Sequence, residues 1–140
     1  MELEYVAEWF LYADRDLATA EFLRGMRPQP LEIICYHCQQ SAEKYLKGYL
    51  IYKGVMEPPK THNLNLLIDM CLEYDDRFDK IEQACSALTR YGVQPRYPNE
   101  IRIAENDTPN ALEHARQVQN FEPLAKVRQE TSEDDNDVEL

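Results

Sequence analysis

Apolar residues recur every three or four positions through most of the chain, which is the period of an amphipathic helix. Val6, Trp9, Phe10, Ala13, Leu17 and Ala20 mark the inner face of a helix over residues 3–24, with Glu8, Asp14, Arg15 and Glu21 opposite. Gly25 is a candidate C-cap, and Pro28 and Pro30 cannot continue the helix. A second helix is predicted over 31–52, with Leu31, Ile34, Cys35, Cys38, Ala42, Tyr45, Leu46 and Tyr49 inward and Gly54 and Pro58-Pro59 closing it. A third spans 64–74 on Leu64, Leu67, Ile68 and Cys71, with Thr61 or Asn63 as N-cap. A fourth spans 77–89 on Ile81, Ala84, Cys85 and Leu88. Two prolines and a glycine break the segment 91–98.

The last helix is expected to start at Thr108-Pro109, an N-cap followed by proline at the first helical position, and to bury Ala111, Ala115 and Val118. Pro123 is expected to end or kink it. No stretch alternates with a period of two. The expectation is an all-α, antiparallel up-and-down bundle of four to five helices over residues 1–129, followed by an acidic, flexible tail over 130–140.

With 140 residues, 44% of them hydrophobic, the chain suits one domain with a real core. No run of 18 apolar residues marks a membrane span, and the acidic N-terminus does not read as a secretory signal, so the expected location is cytoplasmic. Only four glycines are present, and neither glycine-rich phosphate-loop motif occurs, so no cofactor is expected.

Net charge is −11, from 26 acids against 15 bases, which opposes a general nucleic-acid coat. The distribution changes that picture. Six acids sit in 130–140, and the first 23 residues hold six more against Arg15 alone. Two stretches are net positive: 44–60, with Lys44, Lys47, Lys53 and Lys60, and 90–102, with Arg90, Arg96 and Arg102. Brought together they would form a basic patch. Kept apart they are solvated helix faces.

Several constellations admit two readings. Cys35, Cys38, Cys71 and Cys85 could ligate zinc, but all lie on apolar stripes, where cysteine is a small hydrophobe, so no metal is expected. Tyr45, Tyr49 and Tyr52 could stack bases or fill a core. His62 could meet phosphate beside Lys44 and Lys47, or help cap the third helix.

The most distinctive segment is Gln40-Ser41-Ala42-Glu43-Lys44-Tyr45-Leu46-Lys47, followed by Lys60-Thr61-His62-Asn63-Leu64. With Tyr12-Ala13-Asp14-Arg15-Asp16-Leu17-Ala18-Thr19-Ala20 and Arg96-Tyr97-Pro98, it resembles the HEPN family across residues 5–128. The resemblance implies a four- or five-helix bundle, often a homodimer. Many members of that family are encoded beside a minimal nucleotidyltransferase in toxin–antitoxin modules, and some are metal-independent ribonucleases. Others are thought to bind nucleotides or to act as scaffolds.

The ribonuclease members carry an arginine followed, after four to six residues, by a histidine. Histidine moves the proton and arginine stabilises the charged transition state. No arginine of this chain has a histidine at that spacing, and Pro109 stands where an arginine would precede His114. Catalysis would need a composite site in which His114 meets Arg96, Arg90 or Arg102 in space. The resemblance therefore favours a non-catalytic protein that binds a nucleotide or a partner, with Lys44, Lys47, Lys60, His62, Arg90 and Arg96 as candidate ligand residues. RNA is a second candidate ligand, and the alternatives are a ribonuclease toxin with a rearranged site or a pure scaffold.

Overall fold

In the computed structural model, residues 3–92 and 102–139 are described, those after 132 as backbone only. Helix α1 (Leu3–Leu23) turns Val6, Phe10, Ala13, Leu17 and Ala20 inward. Helix α2 (Leu31–Tyr52) is the central element and packs against α1 and every later α-helix. Helices α3 (Leu64–Leu72) and α4 (Glu82–Thr89) form one flank, linked by a 3-10 helix, Asp76–Ile81. Helices α5 (Asp107–Gln119) and α6 (Glu122–Glu139) complete a helical bundle with no strand among the described residues. None of the described helices is long and apolar enough to cross a membrane.

The interface of α1 with α2 is the most extensive, and the two helices approach closely at one point. Gly48 makes that approach possible. A Cβ added there would sit 2.7 Å from Phe10 Cε1 and 3.1 Å from Trp9 Cβ. The buried Ser41 hydroxyl donates to the Ala13 carbonyl at 2.8 Å, pinning the same two helices. This spends the polar atom without leaving it unsatisfied.

Local signals explain most boundaries. Gly54 takes φ 101°, and Gly54 N donates to Ile51 O (3.0 Å) while Val55 N donates to Leu50 O (2.9 Å). This pair of bonds closes α2 with glycine in the left-handed conformation that a side chain disfavours. Asn63 caps α3, its side chain accepting from Asn65 N at 3.0 Å.

Other boundaries differ from expectation. Gly25 is not needed as a left-handed cap, and α1 ends in ordinary turns. Helix α5 begins at Asp107, and the buried Thr108 hydroxyl donates to Glu105 O and lies 3.1 Å from Gln29 Oε1 instead of capping. Pro123 neither ends nor kinks a helix. It sits in the first turn of α6, where its missing N–H costs nothing. Helix α6 then runs through the expected boundary at 129/130, and Thr131 is buried while Tyr52 donates to Glu130. The packed bundle thus reaches past residue 129.

All four cysteines are free and buried. Burial pushes the Cys35 and Cys85 thiols from 9.0 up to about 12, and Cys38 and Cys71 move the same way for the same reason. Such thiols stay protonated and are poor nucleophiles. Among the described residues, no group of three or more His, Cys, Asp or Glu side chains is placed to hold a metal.

This packing makes two expectations measurable. Gly48→Val forces α1 away from α2, and overpacking of this kind costs about 2 kcal/mol. A fall in Tm of roughly 6 °C is expected in thermal denaturation at neutral pH. An unchanged Tm would show that the contact is not tight. Alkaline pH should also destabilise the chain. Above pH 9 the thiols ionise in the unfolded chain while the folded chain keeps them protonated, so the folded state's advantage is intact below pH 9 and shrinks as pH climbs towards 12. Each thiol contributes on the order of 1 kcal/mol per pH unit. The urea midpoint should be level between pH 7 and 8.5 and fall between pH 9 and 10.5.

Candidate functional site

Helix α2 carries Lys44 and Lys47 one turn apart, beside α1 and the loop 53–63. Lys44 donates to Asp16 of α1, whose other oxygen lies 2.9 Å from His37 Nδ1. Lys47 and Glu43 are both almost fully buried, and Lys47 Nζ donates to Glu43 Oε2 at 3.0 Å. The second oxygen, Glu43 Oε1, accepts from Gln39 Nε2 at 3.1 Å and faces His62 Nδ1 at 2.9 Å. A carboxylate can only accept, so the His62 proton sits on Nδ1, and a ring 55% exposed keeps Nε2 as its other nitrogen. A buried charge is tolerated only when it is paired and hydrogen-bonded, and Glu43 meets both conditions.

The same network anchors the loop. Gln39 Nε2 also donates to the His62 carbonyl at 2.9 Å. Gly92 lets the loop lie close, since a Cβ there would be 2.9 Å from His62 Cβ. His62 therefore does not cap α3, which Asn63 does; it ties the loop 53–63 to the middle of α2.

Two adjoining cavities open along this face. One, about 270 Å³, is lined by Tyr5, Glu8, Trp9 and Tyr12 of α1 and by Lys44. The other, about 530 Å³, is lined by Tyr5, Trp9, Lys47, Met56 and the loop Glu57–Lys60. Tyr5 and Trp9 belong to both, with ring centroids 6.2 Å apart and planes at 81°. The result is one groove with an aromatic corner in the middle and lysines along its α2 and loop side. A further cavity of about 400 Å³, between α1 and α6, sets the carboxylates of Glu4, Glu8 and Asp14 against Arg128. Its acidic lining disfavours an anion, so it is the poorer candidate for a phosphate ligand.

Of the six candidate ligand residues, the structure gathers Lys44, Lys47 and Lys60 on the groove, with His62 linked to Lys47 by two hydrogen bonds through Glu43. Arg90 is turned to other work. Its guanidinium covers the Tyr91 ring at 4.9 Å and donates to the Arg102 carbonyl at 2.7 Å. Arg96, and with it the Arg96-Tyr97-Pro98 motif, lies outside the described residues.

His114 is partly buried on α5, and the side chain it reaches is Gln117, at 3.4 Å. Arg116, two residues on, pairs with Glu21 and lies 4.0 Å from Glu113. Among the described residues, the hydrogen bonds of Arg90, Arg102 and Arg116 therefore form no pair with His114.

The tyrosine stripe of α2 divides. Tyr45 and Tyr49 are core residues, Tyr49 against Phe78 at 4.6 Å. Tyr45 donates its hydroxyl to Asp14, within a node that includes Gln119 (3.1 Å) and the Arg128 guanidinium over its ring (5.2 Å). Burial first, and the Asp14 carboxylate second, push its phenol well above the usual range. The aromatic residues that do face the groove, Tyr5, Trp9 and Tyr12, come from α1. Their spacing of four and three is the available signal, but the apolar period picks out Trp9 alone, and for the inner face.

Comparison with known proteins places this geometry. The family model described as HEPN domain matches residues 6–125. Among solved structures, TT1696 from Thermus thermophilus is similar, with TM-score 0.70 and 23% identity over 89% of this chain and 96% of that one. ST0689, described as an archaeal HEPN homologue, has TM-score 0.63 and 22% identity over 90% of this chain and 97% of its own. At these identities the two structures speak to the fold alone. No curated protein matches the sequence. The family match over most of the bundle, together with the fold shared with these structures, means that the chain belongs to the HEPN family.

Proposed function

We propose that this HEPN protein binds a nucleotide without cleaving RNA, as a cytoplasmic homodimer paired with a minimal nucleotidyltransferase in a toxin–antitoxin-like module. The observation that carries the binding half of this reading is the groove, where three lysines from α2 and its following loop edge an aromatic corner supplied by α1. Nucleotides need both a flat apolar surface for the base and cations for phosphate. The non-catalytic half is supported by His114, whose hydrogen-bond partner is a glutamine. A histidine acting without a guanidinium can move a proton but leaves the charge of a phosphoryl transition state uncompensated, and among the described residues no arginine hydrogen-bonds to His114. The pairing with a nucleotidyltransferase rests on the family alone.

Thermal shift tests the binding claim directly. A nucleotide at 100 times its Kd should stabilise the fold by about 2.7 kcal/mol, and Lys60→Ala should reduce the shift at the same concentration. Single-stranded RNA should remain intact with the native protein and with His114→Ala alike. Cleavage that disappears in His114→Ala would replace this reading with a ribonuclease. Absence of a shift with every nucleotide would leave a scaffold. Co-expression with an adjacent nucleotidyltransferase should yield a stable complex on size exclusion.

A further inference from the structure

We propose that the ligand of the groove is a nucleoside monophosphate whose base carries an exocyclic amine. Its base would lie on Trp9, its amine at Glu8, and its phosphate at Lys60 and Lys47. This inference rests on the nucleotide reading above and specifies the site, the orientation and the phosphorylation state.

The ring geometry selects the platform. Tyr5 and Trp9 stand nearly perpendicular, so one ring serves as floor and the other as wall for a flat ligand. Tyr12 is a poorer floor, because the Arg15 guanidinium already covers its ring at 5.6 Å. The larger indole of Trp9, shared by both cavities, is the surface on which a base gains most from stacking.

The charges set the direction. Glu8 lies in the smaller cavity and Lys60 in the larger. A phosphate placed beside Glu8 would face a carboxylate, whereas an amine there gains an acceptor. The base therefore enters the Glu8 end and the phosphate the Lys60 end. An amino group at that edge donates to Glu8, whereas the hypoxanthine carbonyl at the same place would face the carboxylate, which favours adenine over hypoxanthine.

The same charges limit the phosphate count. Lys44 is already paired with Asp16, and Lys47 with Glu43. Lys60 has no ion pair among the described residues, but Glu57 lines the same cavity. Three lysines thus stand among four carboxylates: Asp16, Glu43, Glu8 and Glu57. One phosphate group carries roughly −1.5 to −2 at neutral pH; Lys60 offsets one of these charges, and Lys47, already matched by Glu43, can add only a hydrogen-bond donor. Each further phosphate adds repulsion that no additional lysine offsets.

Trp9 is the single tryptophan of the chain, so its fluorescence reports on the proposed floor without labelling. The full chain is titrated with AMP, IMP and ATP, with calorimetry as an independent measure of binding. AMP should quench Trp9 and bind more tightly than ATP. Trp9→Leu should weaken AMP about tenfold or more. Lys60→Ala, at an exposed position that does not threaten folding, should also weaken it. Glu8→Gln should reduce the preference for AMP over IMP. If calorimetry shows nucleotide binding while Trp9 emission is unchanged and Lys60→Ala binds like the native chain, this site is wrong and the nucleotide reading survives. If ATP binds as tightly as AMP, the monophosphate assignment is overturned. If no nucleotide gives heat or a thermal shift, the nucleotide reading fails and this inference fails with it.

Discussion

The close contact of α1 with α2 at Gly48 is the constraint on which the rest depends. Phe10 packs where a Cβ would otherwise stand, and Ser41 closes the contact by donating to Ala13. This sets how α1 is rotated about its own axis. With Val6, Phe10 and Ala13 turned to the core, Tyr5, Trp9 and Tyr12 must run along the edge of α1 nearest α2. The aromatic face of the groove is thus a by-product of core packing. Any change that separates the two helices would move the rings away from Lys44 and Lys47.

Glu43 has the corresponding role for the other wall. It is buried, and its two oxygens hold Lys47 on one side and His62 and Gln39 on the other. Removing a carboxylate of this kind would leave Lys47 buried without its partner, which is costlier than losing an ordinary hydrogen bond. One acidic residue therefore fixes a lysine on the groove and the loop that carries Lys60. Structure and candidate function share this side chain, so a binding defect in a Glu43 variant would not by itself assign Glu43 to the ligand.

The helical class and most helix spans are legible in the sequence because burial imposes a period of three to four on the apolar residues. Residues 31–52 read correctly for that reason, and the cap of α3 is Asn63, one of the two residues the sequence offered. Helix ends near proline are less legible. Pro123 breaks a helix if it is interior and suits one if it is initial, and its neighbours alone do not decide which. The break instead follows Phe121 packing on Phe78, a tertiary contact at 4.9 Å. The aromatic groove is hidden for a related reason. Trp9 is packed against the core and also lines the groove, and a binary inner-or-outer assignment has no place for such a residue.

Charge shows the same limit more sharply. The stretch 44–60 is basic when counted along the chain, yet the partners of its first two lysines come from elsewhere: Asp16 from the preceding helix and Glu43 from just outside the count. In space, those lysines are largely neutralised, and the remaining positive charge narrows to Lys60 at the mouth of the groove. Segment charge overstates the phosphate-binding capacity of this face, just as the net charge of −11 understates it. At contact range the field is set by the few groups that line the cavity, because water and salt screen more distant charges. An acidic protein can therefore hold an anion here, provided the anion is small and its apolar part supplies most of the binding energy.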